Sequence, residues 1–299
     1  MQAQQAPSAV SITKTDSTLI LTYKNKPVLA YFYGFKKAPT SVDSLYGRSG
    51  FIHPIYSPFG DELTQIQPAD HYHHYGLWNP WTHTAYDGDT IDFWNLKKGQ
   101  GTVRFAGFTQ DQPQNGFKAK HEHVILKGAH AGFVVLNETQ TVLLNAINDS
   151  VFQLDFEINY KVNGNKPFTL LEYRYGGFTW RVTELWNQNN CDVLTSAGHT
   201  RNSADGSLAG WFLIQGNLPD GYAGGLIMSH PKNYNHPQPL RIWPERKPPS
   251  EIMANFSPTK NKDWVLQTNQ TYVLKYRMII YSGKFDKAKA QQYWLNYSR

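Results

Sequence analysis

The stretch Phe117-Lys118-Ala119-Lys120-His121-Glu122-His123-Val124-Ile125-Leu126 alternates between two kinds of side chain. Successive side chains of a β-strand point to opposite faces of the sheet. One face of this segment would carry Phe117, Ala119, His121, His123 and Ile125, and the opposite face would carry Lys118, Lys120 and Glu122. The alternation therefore predicts a strand with one buried face.

Comparable runs, rich in β-branched and aromatic residues, lie on both sides of this segment. They cover residues 19–23, 28–35, 102–109, 132–135, 139–147, 151–160, 167–175, 210–215, 224–229 and 271–281. Turn-forming pairs such as Asn115-Gly116 and Asn148-Asp149 separate most of them. Many strands at short spacing predict an all-β protein, a single large antiparallel β-sandwich domain over residues 10–299.

The two ends of the chain lack this pattern. Asp286 is a candidate N-cap for a short C-terminal helix in which Ala290, Tyr293, Trp294 and Tyr297 share one face. We expect this helix to dock against the sheet. Residues 1–9 are small and polar, and we expect a flexible N-terminus, as at the start of an exported, periplasmic chain whose signal peptide has been removed.

Composition excludes several classes of function. The net charge is +6, but no Lys/Arg block is interleaved with aromatic residues, so we expect no nucleic-acid partner. The single cysteine, Cys191, excludes an intrachain disulfide and a cysteine-based zinc site. No apolar run approaches the roughly 20 residues needed to span a bilayer. Aromatic residues make up 14% of the chain, which suits strands and sugar-stacking surfaces.

The most distinctive polar stretch is Asp70-His71-Tyr72-His73-His74-Tyr75-Gly76-Leu77-Trp78-Asn79-Pro80-Trp81. Histidine is the side chain most readily used for proton transfer or metal binding near neutral pH. An extended backbone would project His71 and His73 to one side and His74 to the other. Some of these histidines could instead only satisfy buried backbone groups.

Further candidate groups come from several loops and strand ends. They are His53, Glu172, Arg174, Arg181, His199, Arg201, His230, Asn235 and His236. Glu172 lies in a mostly apolar segment, which predicts partial burial and a raised pKa. It could equally pair with Arg174 or Arg181 for structure. Arg181 and Arg201 could clamp a carboxylate or donate hydrogen bonds to loop carbonyls.

Metal binding is a separate question. His71 and His73 could supply two ligands of a divalent metal, and another histidine or a carboxylate could complete the site. No helical HExxH frame is present. The sequence also lacks a Gly-x-Ser-x-Gly elbow, a phosphate-binding P-loop and a dinucleotide fingerprint. Serine hydrolase, nucleotide-hydrolysing and NAD-dependent functions are therefore not predicted.

The histidine block, preceded by His53-Pro54 and Ser57-Pro58-Phe59-Gly60, resembles a bacterial family of unknown function often labelled methane oxygenase PmoA. The segments 176–181 and 229–237 also resemble blocks of that family. The resemblance implies a β-sandwich similar to the galactose-mutarotase supersandwich, in exported proteins of sugar degradation. It implies carbohydrate as the ligand, with Trp78, Trp81 and Trp180 available to stack on sugar rings.

Three hypotheses follow. The first is a glycoside hydrolase or lyase, with His74 and His230 in proton transfer, Glu172 as partner base and Arg181 as a clamp. Substrate contacts would come from His53, Asp70, Trp78, Trp81, Arg201, Asn235 and His236. The second is a non-catalytic sugar-binding module, favoured by a tryptophan-lined cleft without an apposed His/Glu pair. The third is an oxidoreductase with copper or iron at the histidine block.

Overall fold

The computed structural model describes residues 9–246 and 250–299, and within them the chain is almost entirely β-structure. The elements, in chain order, are β1 (Val10–Lys14), β2 (Thr18–Tyr23), β3 (Lys26–Phe32), β4 (Phe51–Ile55), β5 (Leu77–Trp78), β6 (Thr84–Tyr86), β7 (Asp89–Ile91), β8 (Gly101–Phe108), β9 (Gly116–Ile125), β10 (Val134–Asn148), β11 (Val151–Val162), β12 (Phe168–Leu170), β13 (Thr179–Arg181), β14 (Cys191–Thr195), β15 (Leu208–Ala209), β16 (Trp211–Leu218), β17 (Gly221–Ser229), β18 (Gln238–Ile242), β19 (Met253–Phe256), β20 (Trp264–Leu266), β21 (Thr271–Ser282) and α1 (Lys287–Tyr297). Two short 3₁₀ turns, Ser44–Tyr46 and Leu96–Lys98, lie in the connections.

The strands form two large sheets and one small sheet. The first has the order β1-β2-β3-β4-β5-β13-β19-β18-β15, and the second has the order β14-β16-β17-β21-β11-β10-β9-β8. A four-stranded sheet, β20-β12-β6-β7, lies beside them. Neighbouring strands run antiparallel, as in the long β10–β11 and β11–β21 pairs. The prediction of an all-β antiparallel fold is confirmed.

Aromatic contacts join the two large sheets. Phe178, directly before β13, stacks on Tyr276 of β21 with ring centroids 4.4 Å apart, and Tyr31 of β3 stacks on Phe117 of β9 at 4.4 Å. All four rings are buried. Side chains from both sheets therefore form one apolar core, which is the arrangement of a β-sandwich. That residues 10–299 form a single domain stays a prediction.

Several predicted boundaries were wrong. Residues 132–135 and 139–147, expected as two strands, fall largely within the single long β10 (Val134–Asn148). Residues 167–175, expected as one strand, contain only the three-residue β12, and the chain then leaves the sheet. No strand was predicted at residues 51–55, which form β4 and carry His53 and a cis peptide bond before Pro54. The predicted flexible segment 1–9 lies, apart from Ala9, outside the described residues.

The C-terminal helix was predicted correctly. The side chain of Asp286 accepts a hydrogen bond of 2.7 Å from the backbone N–H of Lys289, which caps the first turn. Ala290, Tyr293, Trp294 and Tyr297 pack on an apolar cluster that includes residues of β16, β17 and β21. The helix therefore covers one face of the second large sheet. Within the described residues, no helix has the length and the apolar character to cross a bilayer.

Candidate functional site

The histidine block forms two successive turns. The backbone N–H of His71 donates to the Pro68 carbonyl, and the N–H of His74 donates to the His71 carbonyl, both at 2.9 Å. The extended conformation considered for residues 71–74 is therefore wrong, and so is the opposite placement of His74. The turns gather all three rings, with centroids 4.7 Å apart for His71 and His74, 4.8 Å for His73 and His74, and 5.5 Å for His71 and His73.

Gly76 attaches this turn to the first large sheet. Its φ is +59°, in the left-handed region, and a Cβ placed there would lie 2.2 Å from the Ile52 carbonyl oxygen. Only glycine fits such an approach without movement of the backbone. The N–H of Gly76 donates to Gln65, and the N–H of Gln67 donates to His74, so the turn is anchored on both sides.

The three histidines line a cavity of about 260 Å³. The other walls come from the segment after β7, the segment after β12 and the β18–β19 region: Trp94, Asn95, Arg174, Tyr175, Arg241, Trp243, Arg246 and Met253. Ligand pockets typically measure about 300–1,000 Å³. A cavity just below this range suits one small ring better than a long polymer segment.

Burial controls the charge of two of these histidines. His74 is 1% exposed, and burial followed by the charges of His73, Arg181 and His71 lowers its pKa well below the usual value. Burial, followed by the charge of His71, lowers the pKa of His73 to about 4. Both rings are therefore neutral at pH 7, when an imidazole can accept a proton or a hydrogen bond. The Nδ1 atom of His74 is buried and has no hydrogen-bond partner among the residues that the structure describes.

His71 has a carboxylate neighbour. Its Nδ1 atom lies 2.8 Å from Oδ2 of Asp70, and Oδ1 of Asp70 lies 3.3 Å from the guanidinium of Arg181. Arg181 is fully buried and also pairs with Glu251. Burial alone would raise the pKa of Asp70, but Arg181 and His71 outweigh it and lower the pKa. Arg181 therefore lies beside a charged carboxylate that is close enough to act on the ring of His71 electrostatically.

Trp243 forms the aromatic centre of the cavity wall. Its ring lies 4.8 Å from the His71 ring and 5.6 Å from the His74 ring. The guanidinium groups of Arg181 and Arg246 lie 5.0 and 5.3 Å from its centroid. These contacts fix the indole beside the histidines, in an environment where cation–π attraction adds to packing.

Of the predicted catalytic residues, His230 lies elsewhere. The loop from β17 to β18 brings His230 against Tyr297 and His236 parallel to Trp294, with ring centroids 5.3 and 6.2 Å apart. His236 thus lies beside the C-terminal helix, before β18, whereas Trp243 follows β18. The extended length of that strand separates the two regions. The structure does not bring His230 or His236 to the cavity.

Glu172 is exposed, and its predicted burial is wrong. The apolar pattern continues past the point where β12 ends, at Leu170, so Glu172 follows the strand instead of lying within it. Its backbone N–H donates to the side chain of Asp263 at 2.6 Å. The described contacts give Glu172 neither the predicted pairing with Arg174 or Arg181 nor a place in the cavity wall.

The three tryptophans that were expected to stack on sugar rings are core residues. Trp81 is fully buried and donates its Nε1–H to the hydroxyl of Tyr160 at 3.2 Å. Trp180 is also fully buried and donates to the Leu63 carbonyl. Trp78 is 2% exposed and lies 5.5 Å from the ring of His74. The predicted sugar-stacking role of all three is wrong in this conformation, because no ring face is open.

Three further candidates have structural partners. Arg201 is buried and donates to the carbonyls of Trp243, Ser250 and Glu251, so it holds the loop that carries Trp243. Asn235 has a φ of +61° and donates to Pro258. His53 lies 2.9 Å from Oγ1 of Thr64 and lines a separate cavity of about 570 Å³.

Sequence reasoning missed Trp94, Tyr175, Trp243, Arg241 and Arg246. A signal was present in the segment Arg241-Ile242-Trp243-Pro244-Glu245-Arg246, where two arginines bracket a tryptophan. Arginine and tryptophan are both enriched at recognition surfaces.

A buried ionic network lies elsewhere in the core. Glu138 of β10 receives hydrogen bonds of 3.0 Å from His121 and His123 of β9, and Tyr31 of β3 contacts His121 at 2.6 Å. Burial would raise the pKa of Glu138, but the two histidines outweigh it and hold the pKa far below the usual value. His121 and His123 were predicted to share one face of this strand with Phe117, Ala119 and Ile125, and all five side chains are buried.

The chain matches the sequence profile of one known protein family. The profile of a family of unknown function, DUF6807, matches residues 18–295. The chain belongs to the DUF6807 family. The resemblance to the family labelled methane oxygenase PmoA is not part of this match and stays a prediction. No protein of curated function matches the DUF6807 chain significantly.

Solved structures similar to this DUF6807 chain have very different sequences. A galactose mutarotase related enzyme from Lactobacillus acidophilus is 7% identical, with a TM-score of 0.40, 91% of this chain covered and 97% of that chain. Heparan sulfate lyase HepC from Pedobacter heparinus is 9% identical, with a TM-score of 0.39 and coverages of 93% and 35%. The GH36 α-galactosidase AgaA from Geobacillus stearothermophilus is 9% identical, with a TM-score of 0.41 and coverages of 92% and 41%.

This chain therefore spans about a third of the lyase, about two fifths of the galactosidase and nearly the whole of the mutarotase-related enzyme. The likeness concerns backbone arrangement alone.

The described residues contain no group of three or more His, Cys, Asp or Glu side chains arranged to hold a metal ion. The divalent metal suggested for His71 and His73 stays a prediction.

Proposed function

We propose that this DUF6807 protein is a carbohydrate-active enzyme that cleaves a glycosidic bond by general acid–base catalysis in the histidine cavity. The observation that carries the proposal is the convergence of three imidazoles, His71, His73 and His74, on one small cavity walled by aromatic rings. Aromatic faces suit the apolar faces of sugar rings, and imidazoles suit proton transfer near neutral pH.

The pairing of His71 with Asp70 supports a catalytic role for this ring. A carboxylate beside one ring nitrogen fixes the orientation of an imidazole and stabilises its charged form as it takes up a proton. Asp70 itself is held by the buried Arg181. In this proposal His71 exchanges the proton, and Asp70 and Arg181 are positioning residues.

The neutral rings of His73 and His74 have a different role in the proposed reaction. With pKa values below neutral, they contribute uncharged nitrogen atoms to the cavity at pH 7. His73, which is only partly buried, is suited to accept hydrogen bonds from sugar hydroxyl groups. Hydrolysis and elimination both need a proton donor and a proton acceptor, so the proposal covers both outcomes.

A screen of glycosides and polysaccharides tests the proposal. The full chain is compared with His71→Gln, and with His83→Asn as a control at an exposed histidine that does not line the cavity. Asparagine is chosen because His83 has a φ of +48°, which asparagine tolerates. Turnover that falls about 100-fold or more in His71→Gln and is kept in His83→Asn supports the proposal.

Two results would contradict the proposal that this cavity is the active site of an enzyme. If a sugar binds equally well to all three proteins and none is cleaved, the protein is a sugar-binding module. If turnover is equal in all three proteins, the reaction takes place outside this cavity. Parallel assays with EDTA and with added divalent metal decide whether a metal takes part.

A further inference from the structure

Among the described residues, three arginines line the histidine cavity and no Asp or Glu does. Arg174 follows β12, Arg241 lies in β18, and Arg246 follows Trp243 in the next loop. They reach the cavity from two separate parts of the chain. The charged side chains of the described cavity wall are therefore all cationic, and the nearest carboxylate to the histidines is that of Asp70, beside His71.

Two of these arginines lack an acidic partner. Within the described residues, no Asp or Glu oxygen lies within 4.0 Å of Arg174 or Arg246. Residues 1–8 and 247–249, which the structure does not describe, contain no Asp or Glu in the sequence. By contrast, Arg104 pairs with Glu122 and Arg277 pairs with Asp155. Arg48 and Arg201, which do not line the cavity, also have no carboxylate within 4.0 Å among the described residues, but both donate to backbone carbonyls.

Arg241 has one partner and one free donor. It pairs with Asp205, but that carboxylate also pairs with Lys260 at 3.1 Å, so one negative charge serves two cations. The Nε atom of Arg241 is buried and has no hydrogen-bond partner in the described structure. A buried donor without a partner costs free energy, which a ligand oxygen would recover.

Aromatic rings hold the two unpaired guanidinium groups. Arg174 lies 5.4 Å from the ring centroid of Tyr175, and Arg246 lies 5.3 Å from that of Trp243. Stacking on a ring restricts the arginine but leaves the N–H donors at the edge of the guanidinium free. The planar set of donors matches a carboxylate or a sulfate group.

From these observations we infer that the cavity binds an anionic sugar, whose carboxylate or sulfate group is held by Arg174, Arg241 and Arg246. The inference rests on the proposed function for the ligand being a carbohydrate. It adds the substrate class: glycosides of uronic acids or of sulfated sugars. The histidines would face the ring and the glycosidic oxygen, and the arginines would face the anionic substituent.

Calorimetric titration of the full chain tests the inference. The probes are D-glucose, D-glucuronate and D-glucose 6-sulfate, which share a ring and differ at its sixth carbon. We expect one of the two anionic sugars to bind at least about tenfold more tightly than glucose, with an affinity that falls as salt is added. Which anionic sugar binds more tightly distinguishes a uronate site from a sulfate site.

Variants assign the effect to the arginines. Arg174→Gln, at an exposed position, and Arg241→Gln should each weaken binding of the anionic sugar about tenfold, with glucose unaffected. Arg104→Gln is the control, because it removes an exposed arginine on β8 that does not line the cavity. Equal affinity for glucose and both anionic sugars, no binding of either anion, or unchanged binding in both cavity variants would overturn the inference.

The result also separates this inference from the proposed function. Selective binding of an anionic sugar without cleavage of any glycoside would support the anion site and contradict the proposed enzyme activity. Cleavage of neutral glycosides, with no preference for a charged ring, would support the proposed enzyme activity and contradict the anion site.

Discussion

The Nδ1 atom of His71 lies 2.8 Å from a carboxylate oxygen of Asp70. A charge placed so close to an imidazole stabilises the protonated ring that forms during proton transfer. Asp70→Asn should therefore lower kcat about 10- to 100-fold and change KM little. Steady-state kinetics on a substrate from the glycoside screen measure this split.

The same pair gives a test that a purely structural role would fail. Residues that act as a unit have non-additive effects. Asp70→Asn introduced into His71→Gln should then cause little further loss of kcat. If the two losses multiply, Asp70 does not act through His71.

The pH dependence of stability should report the burial of His73. The pKa of this ring is about 4 in the folded protein, and about 6.5 is expected in the unfolded chain. The unfolded chain binds more protons between these values, so the free energy of unfolding rises with pH from about 4 to 6.5 and then levels off. His53, also with a pKa of about 4, contributes in the same direction.

Urea unfolding at a series of pH values measures this effect. His73→Gln should show a smaller gain in unfolding free energy between pH 4 and pH 6.5 than the unmodified chain. Identical pH profiles for the two proteins would mean that His73 is not held neutral in the folded state.

The network around Glu138 should be important for stability. Glu138→Gln removes a buried charge that accepts hydrogen bonds from His121 and His123, and we expect a loss of about 3 kcal/mol of unfolding free energy. Glu157→Gln is the matched control, because Glu157 pairs with Lys275 at a half-exposed site and should cost less than about 1 kcal/mol. Similar costs for the two variants would show that the buried network contributes no special stability.

Gly76→Ala should destabilise the protein more than Gly88→Ala. Both glycines have positive φ, and alanine at either position is strained by roughly 1 kcal/mol. A Cβ at Gly76 would lie 2.2 Å from the Ile52 carbonyl oxygen, whereas a Cβ at Gly88 meets no atom within 4 Å. Chemical denaturation compares the two, and equal losses would show that the close approach to Ile52 is unimportant.

The fold could be predicted from the sequence because its signals are local. The alternation over 117–126 and the Asp286 cap each depend on a few neighbouring residues, and the structure has a strand and a helix there. The end of β12 could not be predicted, because the apolar pattern of Leu170 and Leu171 continues after the hydrogen-bonded ladder stops. Glu172 was therefore misplaced.

The site was predicted only in part for a physical reason. Asp70, His71, His73 and His74 are neighbours in the chain, so their clustering is visible in the sequence. Trp243 reaches them through strand pairing in the first large sheet and through the hydrogen bonds of Arg201, which no local pattern reveals. In the sequence, His230 could not be distinguished from the other candidate histidines. It lies in the loop before β18, whereas Trp243 follows β18, so the length of that strand separates His230 from the cavity.

In the proposed reaction, proton transfer to or from a sugar takes place at the histidine cavity and not at the loop after β17. The most direct test compares kcat/KM for His71→Gln and His230→Gln on one cleaved glycoside. We predict a loss of about 100-fold or more for His71→Gln and a change of no more than about threefold for His230→Gln. A large loss in His230→Gln beside near-normal activity in His71→Gln would place the proton transfer at the loop after β17 and contradict a catalytic role for the histidine cavity.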